Sequence, residues 1–69
     1  MTDLDRLRSV DEIIAGELLG YSRKTLQNWR LLRRGPPYMK TAGGRSIRYR
    51  IGDLLDWQAA SRVDPEATR

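Results

Sequence analysis

The chain has 69 residues, with 13 Lys/Arg against 9 Asp/Glu, a formal net charge of +4, and neither cysteine nor histidine. A chain this short forms one domain and buries only roughly 60% of its unfolded surface, which leaves little room for a deep catalytic pocket. Without Cys or His there are no disulfides, thiolate metal sites, imidazole bases or imidazole ligands, so an enzyme is the least expected class and no cofactor or metal is expected. No apolar run approaches the length of a membrane span, and no signal-peptide core is visible. The expectation is a cytoplasmic protein without a membrane partner.

Charge is segregated along the chain. Between Glu17 and Asp53 there is no acid, yet Arg23, Lys24, Arg30, Arg33, Arg34, Lys40, Arg45, Arg48 and Arg50 all fall there. A one-sided basic middle is the electrostatic footprint of a protein that sits on nucleic acid phosphates. The plainer reading is a solvated surface, but such surfaces usually intersperse both signs.

Residues 1–8 mix charges with Leu4 and Leu7 and carry no clear period. They read as a flexible arm, or as a segment whose two leucines dock on the core. A first helix is expected over Val10–Leu19, started either by a Ser9/Glu12 capping box or by Asp11 as N-cap. Ile13, Ile14, Leu18 and Leu19 supply its apolar positions. Gly16 in mid-helix costs about 1 kcal/mol against Ala, which points to close approach by another helix.

Gly20 can take the left-handed C-cap conformation, and Ser22 can cap the next helix. A stop and a start separated only by Tyr21 make a tight helix-turn-helix connection. The second helix is expected from Arg23 to Arg33 or Arg34, ended by Gly35 and the Pro36-Pro37 pair. At 100° per residue, Thr25, Leu26, Trp29 and Leu32 share an inward side. Arg23, Lys24, Gln27, Leu31 and Arg34 lie opposite, with Asn28 and Arg30 on the flanks. That helix carries no acid, so it gains no i,i+4 ion pairs.

Tyr38–Lys40 and Ser46–Arg50 read as short strands joined by a turn over Thr41–Arg45. Ile47, Tyr49 and Ile51 share one face; Ser46, Arg48 and Arg50 share the other. A third helix is expected from Asp53 to Ser61, with Leu54, Trp57 and Ser61 inward and Asp53 and Asp56 favouring its start through the dipole. The domain is expected over 9–62, with a flexible tail over 63–69. The fold class is mainly α with a small β-hairpin, a winged helix-turn-helix.

Arg and Lys bond guanine acceptors, and Asn and Gln can bond adenine at two points, so the outward helix face has the chemistry to read base edges. Arg23, Lys24, Gln27 and Asn28 are the expected base contacts, because the N-terminal half of such a helix enters deepest. Ser22, Arg30 and Arg34 suit phosphates. In the hairpin, Lys40, Gly43, Gly44, Arg45, Arg48 and Arg50 form a slim basic wing suited to the minor groove or adjacent backbone. Trp29 and Trp57 fall on inward faces beside Leu and read as core, as does Tyr49. Tyr21 or Tyr38 could offer a hydroxyl to a phosphate.

The order of these motifs resembles the small winged helix-turn-helix proteins related to the MerR DNA-binding domain, and among them phage excisionases and AlpA-type regulators. The residues that carry the resemblance are Glu17-Leu18-Leu19-Gly20-Tyr21-Ser22, Thr25-Leu26-Gln27-Asn28-Trp29-Arg30, Gly35-Pro36-Pro37-Tyr38, Gly43-Gly44-Arg45, Ile47-Arg48-Tyr49-Arg50 and Asp53-Leu54-Leu55-Asp56-Trp57, across about residues 10–62. The resemblance makes Arg23–Arg33 the recognition helix and Gly43-Gly44-Arg45 the wing tip. The chain departs from it at Gly16, where Ala is commoner, and at Gly52, where a capping Ser is commoner. What it implies is sequence-specific binding of double-stranded DNA. In the excisionase case it implies bending of attachment-site DNA, self-association on adjacent sites and an integrase partner. An AlpA- or MerR-like transcription regulator is the alternative, and a protein-interaction module gripping an acidic partner is a third class. Neither the long dimerisation helix nor the effector domain of full MerR regulators is expected.

Overall fold

The structure is a computed structural model that describes residues 2–63. In chain order it runs α1 (Asp3–Leu7), β1 (Ser9–Asp11), α2 (Glu12–Leu19), α3 (Arg23–Leu31), β2 (Met39–Thr41), a turn over Ala42–Gly44, β3 (Ser46–Arg50) and α4 (Ile51–Ala60). The described strands form one antiparallel sheet in the order β1-β3-β2. The expected winged helix-turn-helix is therefore present, and its sheet has a strand that the hairpin pattern did not suggest.

That strand is β1. Val10 pairs with Tyr49 and Asp11 with Arg48, so the segment expected to open the first helix instead closes the sheet. The helix begins two residues later than Val10. Of the two candidate starts, Asp11 is the N-cap, its Oδ1 accepting the Ile14 amide at 2.9 Å.

α2 packs through its smallest residues. Ala15 and Gly16 are buried, whereas of the apolar positions in the pattern Ile13, Ile14 and Leu18 are exposed and only Leu19 is half-buried. Gly16 does allow a close approach, but to its own turn rather than to another helix. A Cβ there would stand 2.5 Å from the Tyr21 carbonyl oxygen. The Gly16 carbonyl in turn accepts both the Gly20 and Tyr21 amides, at 2.8 and 2.9 Å. Gly20 supplies the left-handed C-cap at φ 82°.

α3 is capped by Ser22, whose Oγ accepts the Thr25 amide at 3.2 Å. It stops at Leu31, short of the expected Arg33 or Arg34. The Arg34 amide bonds the Trp29 carbonyl and the Arg33 amide bonds the Arg30 carbonyl, a Schellman closure. Arg33 fills the left-handed position, at φ 57°, that glycine usually takes. Leu32, expected inward, then falls at the helix end and is exposed.

Ala15, Leu26, Tyr49 and Leu54 form the buried centre, with Val10, Leu19, Trp29 and Ile47 packed around it. Trp29 stands 5.3 Å from Trp57 and 4.7 Å from Tyr21, edge-on to the latter. The expected inward placement of both tryptophans and of Tyr49 is met.

α4 starts at Ile51, earlier than Asp53, and Ser61 is an exposed C-cap rather than an inward residue. Gly52 is buried inside the first turn of α4, where a Cβ would meet Arg6 at 3.0 Å. α1 docks there. Arg6 reaches the Gly52 carbonyl at 3.4 Å and both Asp56 oxygens at 2.8 Å, while Leu4 and Leu7 stay exposed. Thr2 and Asp5 form the capping box of α1. The expected tail, 63–69, lies outside the described residues except for Val63.

Candidate nucleic-acid interface

Three α3 side chains spaced by four and three residues, Arg23, Gln27 and Arg30, converge on one carboxylate of α2. Glu12 Oε1 accepts Arg23 Nε at 2.6 Å and Gln27 Nε2 at 3.1 Å; Oε2 accepts Arg30 Nη2 at 2.7 Å. Glu12 is the first residue of α2, where the helix dipole favours an anion. Burial raises its pKa, but the hydrogen bonds from Arg23, Arg30 and Gln27 outweigh burial and leave it below the ordinary value of 4.5.

Arg30 is tied at both ends of its guanidinium. Its Nη1 donates to the Tyr49 hydroxyl at 3.0 Å, and its carbon stands 5.7 Å from the centre of the Tyr38 ring. The Arg30 and Glu12 side chains are only 15% and 13% exposed. Burial disfavours the Arg30 charge, and the bonds to Tyr49 and Glu12 reverse that, so its pKa is raised. Expected at the phosphates, Arg30 sits instead in the seam between α3 and the sheet. Gln27 is half-buried beside it. Arg23 lies at the rim, with its side chain 58% exposed and only its Nε engaged among the described residues.

The outer stripe of α3 is Lys24, Asn28 and Leu31, again four and three residues apart and all exposed. Leu31 is 82% exposed. Ser22 is exposed at the leading end of α3, its hydroxyl also 3.0 Å from Thr25 Oγ1. Arg34 is exposed at the other end.

The wing meets the end of this stripe at Leu31, which shares a cleft with Lys40 and Gly44. Met39 pairs with Arg48, Lys40 with Ile47 and Thr41 with Ser46. Gly43 and Gly44 turn the chain at φ 70° and 89°, with open space where a Cβ would be. Lys40, Arg45 and Arg50 are exposed. Arg48 is half-buried and reaches across the sheet to the Ser9 carbonyl at 3.4 Å. Two clefts separate wing from helices. One, of about 430 Å³, is lined by Gln27, Leu31, Tyr38, Lys40 and Gly44 among others. The other, of about 250 Å³, brings Arg23, Arg45 and Arg48 to Glu12 and Asp11.

A family described as a helix-turn-helix domain matches residues 10–62 of this chain. The chain belongs to that family. No curated protein matches it. As a helix-turn-helix domain it has DNA as its partner, and the matched span covers α2, α3, the wing and α4. Among the described residues no helix is long and apolar enough to cross a membrane.

Seen as a DNA-binding domain, the molecule presents exposed cations at three levels: Lys24 on α3, Arg33 and Arg34 at its end, and Lys40, Arg45 and Arg50 on the wing. Among the described residues the ion pairs are Arg6–Asp56, Arg23–Glu12 and Arg30–Glu12, so none of those six is neutralised by an acid there. Such cations release counterions when they meet phosphates. The role the sequence did not suggest is that of Glu12, read there only as the capping-box partner of Ser9. The one signal available was an acid at the start of the helix that precedes an acid-free one, although Glu17 lies nearer the turn.

Proposed function

We propose that this helix-turn-helix domain is a sequence-specific, non-enzymatic DNA architectural protein of the excisionase type. α3 lies in the major groove, the Gly43-Gly44 wing rests on the adjacent backbone or minor groove, and several copies side by side bend attachment-site DNA for an integrase. The observation that carries the reading is the acid-free outer stripe of α3 beside a basic wing, a two-point grip on one face of a duplex. The excisionase assignment within that class is supported by the motif order described above. One domain of this size spans about one helical turn, so specificity requires neighbouring copies.

The test is selection from random-sequence duplex pools at near-physiological salt, followed by bending measurements on the recovered sites. Recovery of repeated sites that bend on binding supports the architectural reading. Recovered sites that stay straight assign the protein to promoter occupancy as a transcription regulator. No enrichment, with only weak salt-sensitive binding, overturns sequence-specific recognition.

A further inference from the structure

The structure places a cation where α3 should least tolerate one. Arg23 is the first residue of the helix and Lys24 the second, and no acid lies in the first turn. Positive charge at a helix N-terminus opposes the helix dipole. The compensating anion is Glu12, from a different helix, at 2.6 Å. Its contact is confined to Nε. A guanidinium offers donors on two edges, and a carboxylate that takes Nε leaves the edge made by the two Nη nitrogens. Neither Nη nitrogen of Arg23 has a partner among the described residues, and the side chain is 58% exposed. Gln27 shares that oxygen at 3.1 Å and Arg30 holds the other oxygen of the carboxylate at 2.7 Å, so Glu12 is itself fixed.

We infer that Arg23 reads a guanine through its two Nη nitrogens, on N7 and O6, and that Glu12 is the positioning residue that holds the fork in place. The inference rests on the DNA-binding reading above and sharpens it to one base and one edge. An Nη–Nη fork matches the two guanine acceptors in the major groove. Lys24, also on the exposed edge, supplies charge without a fork. A long side chain anchored at Nε loses less freedom on docking than a free one, which turns a phosphate-seeking cation into a discriminating contact.

The experiment uses the full chain and the duplex recovered by selection, with each guanine replaced in turn by 7-deazaguanine, which lacks the N7 acceptor. Wild type should lose about tenfold in affinity at one guanine. Arg23→Lys keeps the charge and removes the fork. It should bind the unmodified site about tenfold more weakly and be indifferent to the substitution at that guanine. Glu12→Gln should also lose that sensitivity although Arg23 is intact, whereas a general loss of structure would weaken every duplex equally and leave the pattern unchanged. Arg23→Lys, at an exposed position, decides the guanine contact even if Glu12→Gln does not fold. A recovered site without a sensitive guanine, or an Arg23→Lys variant that keeps the penalty, overturns the inference. So does Arg23→Ala reducing the salt slope by about one with no change in base preference, since that marks a phosphate contact. Failure to recover any site overturns the sequence-specific reading instead, so the two failures are distinguishable.

Discussion

Replacing Gly16 with alanine sets two effects of opposite sign against each other. Helix propensity alone favours Ala by about 1 kcal/mol in a helix interior. The added Cβ, however, stands 2.5 Å from the Tyr21 carbonyl oxygen and 3.6 Å from the carbonyl carbons of Tyr21 and Ser22. A carbon normally approaches a carbonyl oxygen to about 3.3 Å, so the turn must retreat by nearly 1 Å. It has nowhere to go without loss. The Gly20 and Tyr21 amides both bond the Gly16 carbonyl, and the Ser22 carbonyl accepts the Leu26 amide at 3.2 Å. Overpacking of this kind costs about 1–3 kcal/mol, and a broken backbone hydrogen bond about 1 kcal/mol more. The net expectation is destabilisation by about 2 kcal/mol, or a fall in Tm of about 8–16 °C for a domain of this size. Thermal melts followed by circular dichroism and tryptophan fluorescence read it directly. Glu17→Ala, on the exposed side of the same helix, is the control and should move Tm by little. A Gly16→Ala variant that melts at or above wild type would show that the turn is not tightly seated on α2.

Acid should act through Glu12. Its folded pKa is below 4.5, so its stabilising contribution is complete above the unfolded value and is lost as pH falls through the folded one. Unfolding titrations should show a stability decline starting near pH 4.5, and Glu12→Gln should flatten that limb while costing about 2–3 kcal/mol at pH 7. Arg6→Ala removes an ion pair whose partners are 40% and 69% exposed, so global stability should change little. Hydrogen exchange in α1 should nonetheless speed up, because Arg6 supplies its polar contacts to α4. Gly43→Ala with Gly44→Ala forces two positive φ angles on alanine, at about 1 kcal/mol each, and should weaken DNA binding without shifting base preference. Arg45→Ala should lower the slope of log affinity against log salt by about one; an unchanged slope would take Arg45 off the phosphates.

The parts of the fold that were legible in the sequence depend on neighbours a few residues apart. Gly20 and Ser22 mark the turn through their own backbone and side-chain chemistry, and Gly43-Gly44 mark the wing tip in the same way. β1 was not legible, because Ser9-Val10-Asp11 offers only three residues of alternation and overlaps a convincing helix start. Its reason for being a strand is β3, far along the chain. The inward face of α2 was not legible because apolar periodicity gives weight to Ile13, Ile14 and Leu18. The packing there demands smallness, and Ala15 and Gly16 supply it. Leu32 was misplaced because no glycine marks the true end of α3; Arg33 adopts the left-handed position under the pull of two backbone bonds. Within the candidate site, the exposure of Lys24, Leu31 and Arg34 followed from the helical wheel, whereas Gln27, placed outward by it, is half-buried against Glu12 and Asn28, placed on the flank, is exposed. The partners of Glu12 lie 11, 15 and 18 residues away and belong to a different helix, beyond the reach of any local pattern.

β1 also determines how the molecule can move. It runs from Ser9–Asp11 straight into the cap of α2, and β3 lies between it and β2. The wing is thus not a hairpin hung on a hinge. Swinging it away from α3 would shear the Val10–Tyr49 and Asp11–Arg48 pairs and pull on the N-cap of α2. On the proposed reading, wing and α3 would meet a duplex at a fixed separation, as the two jaws of a calliper set before measurement. On that reading, DNA whose groove does not match the gap would have to deform to be held, and the work of deformation would fall on the duplex rather than on the protein.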